Sequence, residues 1–208
     1  MTDATFWDRT AEKYFKQPIA DPEAYAEKLR LTRSYLSQKM EALEFGCGTG
    51  GTALELAPHV KHLRAIDVSP KMIDIANGQL AETTVDNVTF ECRDIADFDD
   101  APESFDAVFG MSILHLVRAR AEIIGKIHRL MKPGGVFASS TACIADTMPW
   151  FRLIAPIGRV FGAFPYVEIF TADQLVKELM DAGFVIEEQW RPKDGKAIAV
   201  FIVARKPA

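Results

Sequence analysis

The stretch Ala42-Leu43-Glu44-Phe45-Gly46-Cys47-Gly48-Thr49-Gly50-Gly51 constrains this chain more than any other. Three apolar residues lead into four glycines, and the run Thr52-Ala-Leu-Glu-Leu-Ala57 then reads as a helix that Pro58 ends. A buried strand that turns over glycine into a helix N-terminus is a nucleotide-binding device. Glycine reaches positive φ and lets a ligand approach bare backbone. The helix N-terminus adds unpaired N–H groups and partial positive charge.

The chain around this turn alternates between strands and helices. Strands are expected at about 40–45, 63–68, 87–92, 105–111 and 136–141. Ser69-Pro70 caps a helix running to about Ala81, in which Asn77-Gly78 is weak helix material, and a further helix spans Ala119–Met131 before Lys132-Pro-Gly-Gly135 stops it. Two helices precede the first strand. Residues 4–16 carry Phe6, Trp7, Ala11, Tyr14 and Phe15 at helical spacing, either a packing helix or a lid over a ligand. Asp21-Pro22 starts the second, expected to reach about Gln38. Thr171-Ala-Asp-Gln174 is a capping box for a helix that Gly183 ends, and the β-rich runs 184–190 and 197–205 turn around Asp194-Gly195 and pair antiparallel. The pattern predicts one α/β domain over 1–208: a doubly wound, mostly parallel seven-stranded sheet ending in an antiparallel hairpin. Residues 1–39 form a helical cap, and the Pro-, Trp- and Phe-rich stretch 143–170 is an insertion.

The net charge of −5, with no Lys/Arg run, argues against non-specific nucleic-acid or anionic-membrane binding. Three cysteines give neither a disulfide framework nor metal-ligand spacing, and no metal site is expected. No signal-peptide pattern or long apolar run suggests secretion or membrane insertion, so a cytoplasmic location is expected.

Gly46, Gly48 and Gly51 fit G-x-G-x-x-G, and Asp67 lies where an acid accepts both hydroxyls of a ribose. A nicotinamide oxidoreductase and an S-adenosylmethionine (SAM) enzyme both meet that description. Glu44 tilts the balance, since a carboxylate just before the turn repels a pyrophosphate and suits a ligand with a cationic amine. Asp94-Ile95, after the third strand, suits an adenine amine and ring.

Leu43-Glu-Phe-Gly-Cys-Gly-Thr-Gly50, Ile66-Asp-Val-Ser-Pro-Lys-Met-Ile73, Arg93-Asp-Ile95, Phe105-Asp-Ala-Val-Phe109 and Leu130-Met-Lys-Pro-Gly-Gly135 together resemble the successive motifs of class I SAM-dependent methyltransferases. They are most similar to the small-molecule branch with a type 11 methyltransferase domain. The resemblance covers about residues 40–140 well and implies a Rossmann-like fold. It implies that Glu44, Gly46 and Gly48 hold the methionine end of SAM, with Tyr14 and Cys47 also among the cofactor-binding residues. Asp67 would take the ribose, Val68 and Met72 would flank adenine, and Asp94 and Ile95 would meet its amine and ring. Met111 would line the methyl-donor side. Cys47 is read as a small loop residue, not a nucleophile.

Methyl transfer from a sulfonium is an in-line displacement that yields S-adenosylhomocysteine (SAH). It needs a base only if the acceptor must lose a proton. His115, four residues past Met111, is the candidate for that base or for a substrate contact; a structural histidine is the alternative. Gly110-Met-Ser-Ile113 stands where amino-methylating DNA and protein-glutamine enzymes carry an Asn-Pro-Pro-Tyr type motif. The substrate side is assigned to Trp150, Phe151, Arg152 and Tyr166 of the insertion, a cover for a small apolar or amphipathic molecule. The same residues would also serve as extra core or as a homodimer face. A SAM-binding protein without transfer activity remains the alternative function.

Overall fold

The computed structural model describes residues 3–151, 153–154, 165–192 and 199–208. Two helices lead: α1 (Asp3–Phe15) and α2 (Pro22–Arg33). Then come β1 (Glu41–Phe45), α3 (Gly51–Leu56), β2 (His62–Asp67), α4 (Pro70–Ala81), β3 (Val88–Cys92) and β4 (Phe105–Met111). The chain continues with α5 (Arg120–Leu130), β5 (Met131–Ala142), α6 (Ala172–Asp181), β6 (Val185–Trp190) and β7 (Ala199–Arg205).

The strands form one seven-stranded sheet in the order β3-β2-β1-β4-β5-β7-β6. β1 to β5 run parallel, whereas β7 runs antiparallel between β5 and β6. Both faces are covered, which is why Ala107–Gly110 of β4 is buried throughout. Alternation along β1 sends Leu43 and Phe45 to the face packed by Ile123, Ile124 and Ile127 of α5 and Leu175 and Leu179 of α6. It sends Ala42 to the other face, with Leu29 of α2, Leu56 of α3 and Ile73 of α4. Glu44 shares the face of Ala42, and this places an acid under the helical cap.

The helix starts form as their sequences dictate. Asp21 accepts the Ala24 N–H at 2.9 Å, Ser69 Oγ accepts that of Met72 at 3.1 Å, and Thr171 and Gln174 form a reciprocal capping box. Two boundaries differ from expectation. α2 ends at Arg33, because Thr32 and Ser34 turn their hydroxyls onto the Lys28 and Leu31 carbonyls and the chain goes into turns. α5 ends at Leu130, and Met131 already has extended backbone. Lys132-Pro-Gly-Gly135 is thus a kink within β5, where its register with β4 shifts between Phe105 and Ala107. α4 runs unbroken through Asn77-Gly78, packed against α1 and held by a bond from the Gln79 side-chain amide to the Thr49 carbonyl. The Asp194-Gly195 turn lies outside the described residues.

Candidate functional site

The turn after β1 is built on left-handed backbone at Gly46, Gly48 and Gly50 (φ +65°, +54° and +86°). Two of these glycines are also required by packing. A Cβ on Gly46 would sit 2.4 Å from Ile113 Cγ1, and one on Gly50 would sit 2.7 Å from the Phe90 ring. Gly48 differs, since a Cβ there would meet only Tyr14, at 3.7 Å. Its outer side is therefore open except for one ring of the cap. No side chain caps the N-terminus of α3, whose preceding residue is Gly50.

Two acids face this turn. Glu44 is 1% exposed and its Oε2 has no hydrogen-bond partner. Burial, with the charge of Asp67 added, pushes its carboxyl up to about 8. Asp67 ends β2, and its Oδ2 accepts the Gly48 N–H at 2.9 Å while Oδ1 accepts the Ser69 N–H at 2.9 Å. Burial raises its pKa, and backbone N–H groups of Ser69, Gly48 and Val68 oppose the rise. A carboxylate has about four acceptor positions, more than these backbone donors fill, so acceptor capacity stays available to a diol. The charged side chain that acts on Asp67 is another acid, Asp8. The turn is electronegative. It suits a cationic amine and disfavours a pyrophosphate.

The cap is fastened at both ends of this site. Asp8 of α1 accepts the Ser69 hydroxyl at 2.6 Å and the Lys71 N–H at 3.2 Å. Tyr25 of α2 shares a 3.3 Å hydrogen bond with Thr52, the second residue of α3. Tyr14 lies between these anchors, and its phenol is raised by burial and by Asp67 and Glu44. No signal in the sequence marked Asp8. Its contact joins positions 61 residues apart.

The other expected cofactor residues divide. Val68 is half-buried and Met72 is buried at the start of α4. Cys47 is buried, and burial pushes its thiol well up, away from the reactive thiolate. Asp94 is exposed and accepts the Ala96 N–H at 2.9 Å, available at the rim. Ile95 is turned inward, buried in the core with Phe98 and the α5 isoleucines. Met111 ends β4 half-buried on the face shared with Glu44, paired in register with Ser140 of β5.

His115 lies just beyond, and one property expected of it is corrected. Its Nδ1 is buried without a partner, and burial pushes the imidazole down to about 4. It is neutral at physiological pH but a weak base, not one tuned near neutrality. Of the substrate-side residues, Trp150 is 55% exposed beside Phe151, and Tyr166 carries the Arg118 guanidinium 4.3 Å above its ring. Arg152 lies outside the described residues.

SAM carries an α-amino group, a ribose diol and an adenine, and these residues fit it: an orphaned buried carboxyl, a second acid with spare acceptor positions, and open backbone at Gly48. The family model described as "Methyltransferase domain" matches residues 36–193. The sterol 4-C-methyltransferase strm-1 of Caenorhabditis elegans is 25% identical over 134 residues, 60% of this chain and 39% of that protein. The ubiquinone biosynthesis O-methyltransferase of Xylella fastidiosa (strain 9a5c) is 29% identical over 167 residues, covering 74% of this chain and 66% of its own length. The chain thus spans less than two thirds of the length of these curated relatives. Among solved structures, the N-methyltransferase NodS of Bradyrhizobium japonicum, in complex with SAH, superposes with a TM-score of 0.73 at 21% identity over 97% of this chain and 99% of that one. The acid-flanked glycine turn, the sheet order and the match over most of the sequence agree, and the chain belongs to the methyltransferase domain family, with the fold of the class I SAM-dependent enzymes.

Proposed function

We propose that this chain transfers the sulfonium methyl of SAM to a small, apolar or amphipathic molecule and releases SAH. The observation that carries the reading is the buried carboxyl of Glu44, its Oε2 without a hydrogen-bond partner, beside Asp67 at the glycine turn. An acid in that position binds an amino-acid end and opposes a phosphate. The names of the two curated relatives, a sterol and a ubiquinone-pathway methyltransferase, support an apolar acceptor. SAM when bound supplies an activated methyl. The protein's own part is then to bind the methionine end at Glu44 and Gly48, hold the ribose at Asp67, and exclude water around Met111.

The reading extends to one domain with residues 1–39 as cap and 143–170 as the substrate-side insertion. Exposed Trp150, Leu153 and Ile154 support the insertion's role, because they give an acceptor or a second copy of the chain an apolar face. Among the described residues no helix is long and apolar enough to cross a membrane. A cytoplasmic location is proposed on the free thiols of Cys47, Cys92 and Cys143.

Calorimetry with SAM, SAH and NADPH tests the cofactor. SAM and SAH should bind and NADPH should not. A labelled-methyl screen over quinols, phenols, thiols and lipid headgroups then tests transfer. SAM binding with no product across the panel would favour a binding protein over an enzyme.

A further inference from the structure

Arg120 is the first residue of α5 and is 4% exposed. Its Nε and Nη2 donate to the two carboxylate oxygens of Glu178 on α6, each at 2.7 Å. Its third nitrogen, Nη1, lies 3.2 Å from Glu168 Oε2, and both atoms are buried without a well-aligned hydrogen bond. The guanidinium carbon sits 3.4 Å from the centroid of the Phe170 ring. A buried guanidinium with two acids is a costly way to join two helices, since well-packed apolar residues of the same volume usually do so as well or better. What apolar residues lack is direction. The planar fork fixes where a carboxylate must lie.

With the fork held in place by Glu178, its remaining nitrogen faces Glu168, which belongs to a segment that crosses the candidate acceptor side. Residues 165–170 lie against the loop that follows β4. The Glu168 N–H donates to the His115 carbonyl at 2.8 Å. Tyr166 packs under the Arg118 guanidinium at 4.3 Å. The loop itself is strained, with left-handed backbone at Ser112 (φ +58°) and Ala119 (φ +50°), neither of them glycine. Such a loop keeps its shape only if its surroundings hold it.

We propose that Arg120 and Glu168 are positioning residues for methyl transfer: they clamp residues 165–170 onto the 112–119 loop and so fix the His115 side of the acceptor site next to Met111. The proposal rests on the methyl-transfer reading for what the site does, but the clamp itself is measurable without a substrate.

The chain has four histidines, so NMR resolves the His115 ring from the others. In the wild type it should titrate well below the usual histidine range, because its ring is desolvated. Glu168→Ala should raise its titration midpoint by about one unit or more as the ring rehydrates. It should also speed amide exchange over 112–119 and 165–170 by roughly tenfold, leaving 44–50 unchanged. SAH affinity by calorimetry should stay within about twofold, since Asp67 and Glu44 lie elsewhere. Glu168→Gln, which keeps the oxygen that faces Arg120, should fall between wild type and Glu168→Ala. Arg120→Lys should behave like Glu168→Ala. An unmoved His115 titration with unchanged loop exchange would overturn the proposal. So would a uniform rise in exchange across the whole sheet in Glu168→Gln, which would make the triad a stability element only. If wild-type protein fails to bind SAH, the cofactor reading falls and the role in transfer with it, and the NMR data still report the clamp separately.

Discussion

Asp67 and Gly48 are joined by a 2.9 Å hydrogen bond from the glycine N–H to the carboxylate, so the end of β2 holds the turn that follows β1. One side chain therefore shapes the turn and is expected to bind the ribose. Asp67→Asn removes the charge and one of two acceptors for Gly48 and Ser69. SAM affinity should fall by at least about tenfold, the worth of a charged hydrogen bond. Calorimetry measures it, and thermal melting should show a lower Tm as well.

Glu44 sets stability and binding against each other. Its pKa is raised on folding to about 8. The folded state therefore favours the protonated form. The resulting stability is present below about pH 4.5 and is lost as pH rises through about 8. Glu44→Gln should accordingly melt higher than wild type at pH 8 and little differently at pH 4.5. It should bind SAM more weakly at both ends of that range. Wild-type binding below pH 8 should release a proton, as the bound amine draws Glu44 into its charged form. Calorimetry in buffers of different ionisation enthalpy detects that proton, and its absence would remove Glu44 from the amine site.

His115 gives a prediction in the opposite sense. Its pKa is lowered on folding, to about 4 from an ordinary 6.5. The associated stability is complete above about pH 6.5 and disappears as pH falls through about 4. His115→Ala should blunt the acid sensitivity of Tm over that interval. A positioned general base contributes roughly 10²–10⁴-fold. A group so weakly basic should contribute less, and kcat for His115→Ala should drop by under about tenfold, with no inflection in kcat/KM near pH 6.5 traceable to this ring.

Gly46 and Ile113 should behave as a coupled pair. A Cβ at Gly46 would overlap the Ile113 side chain, its nearest atom 2.4 Å away. Gly46→Ala should cost about 2 kcal/mol or more, from overpacking and from left-handed backbone. Ile113→Ala in the same chain removes the two nearest atoms but keeps the Cβ at 2.9 Å, so it should recover most of the overpacking part and none of the backbone part. Denaturant unfolding of both single variants and the double variant measures the coupling.

Much of the fold was legible because its strands are buried on both faces and read as apolar runs between caps. Val108 and Phe109 of β4 are buried on opposite faces, and no polar alternation confuses the pattern. The start of β5 is not legible locally, since Pro133-Gly134-Gly135 reads as a stop and only pairing with the neighbouring strand makes it a kink. Within the site, Glu44 and Asp67 announce themselves through position along a strand. The approach of Ile113 to Gly46, the Asp8–Ser69 bond and the burial of His115 Nδ1 are long-range products of packing, and no local pattern carries them.

The place of β7 also bears on how the molecule is made. Among the described residues β6 pairs with β7 alone, and β7 must enter between β5 and β6. On the ribosome, β5 therefore waits with an open edge while more than fifty residues are added, and β6 emerges with nothing to pair with. Open strand edges recruit other chains. Assembly of this half of the sheet is thus expected late, in a single closing step, and nascent chains halted before Ala199 should be the ones that chaperones hold.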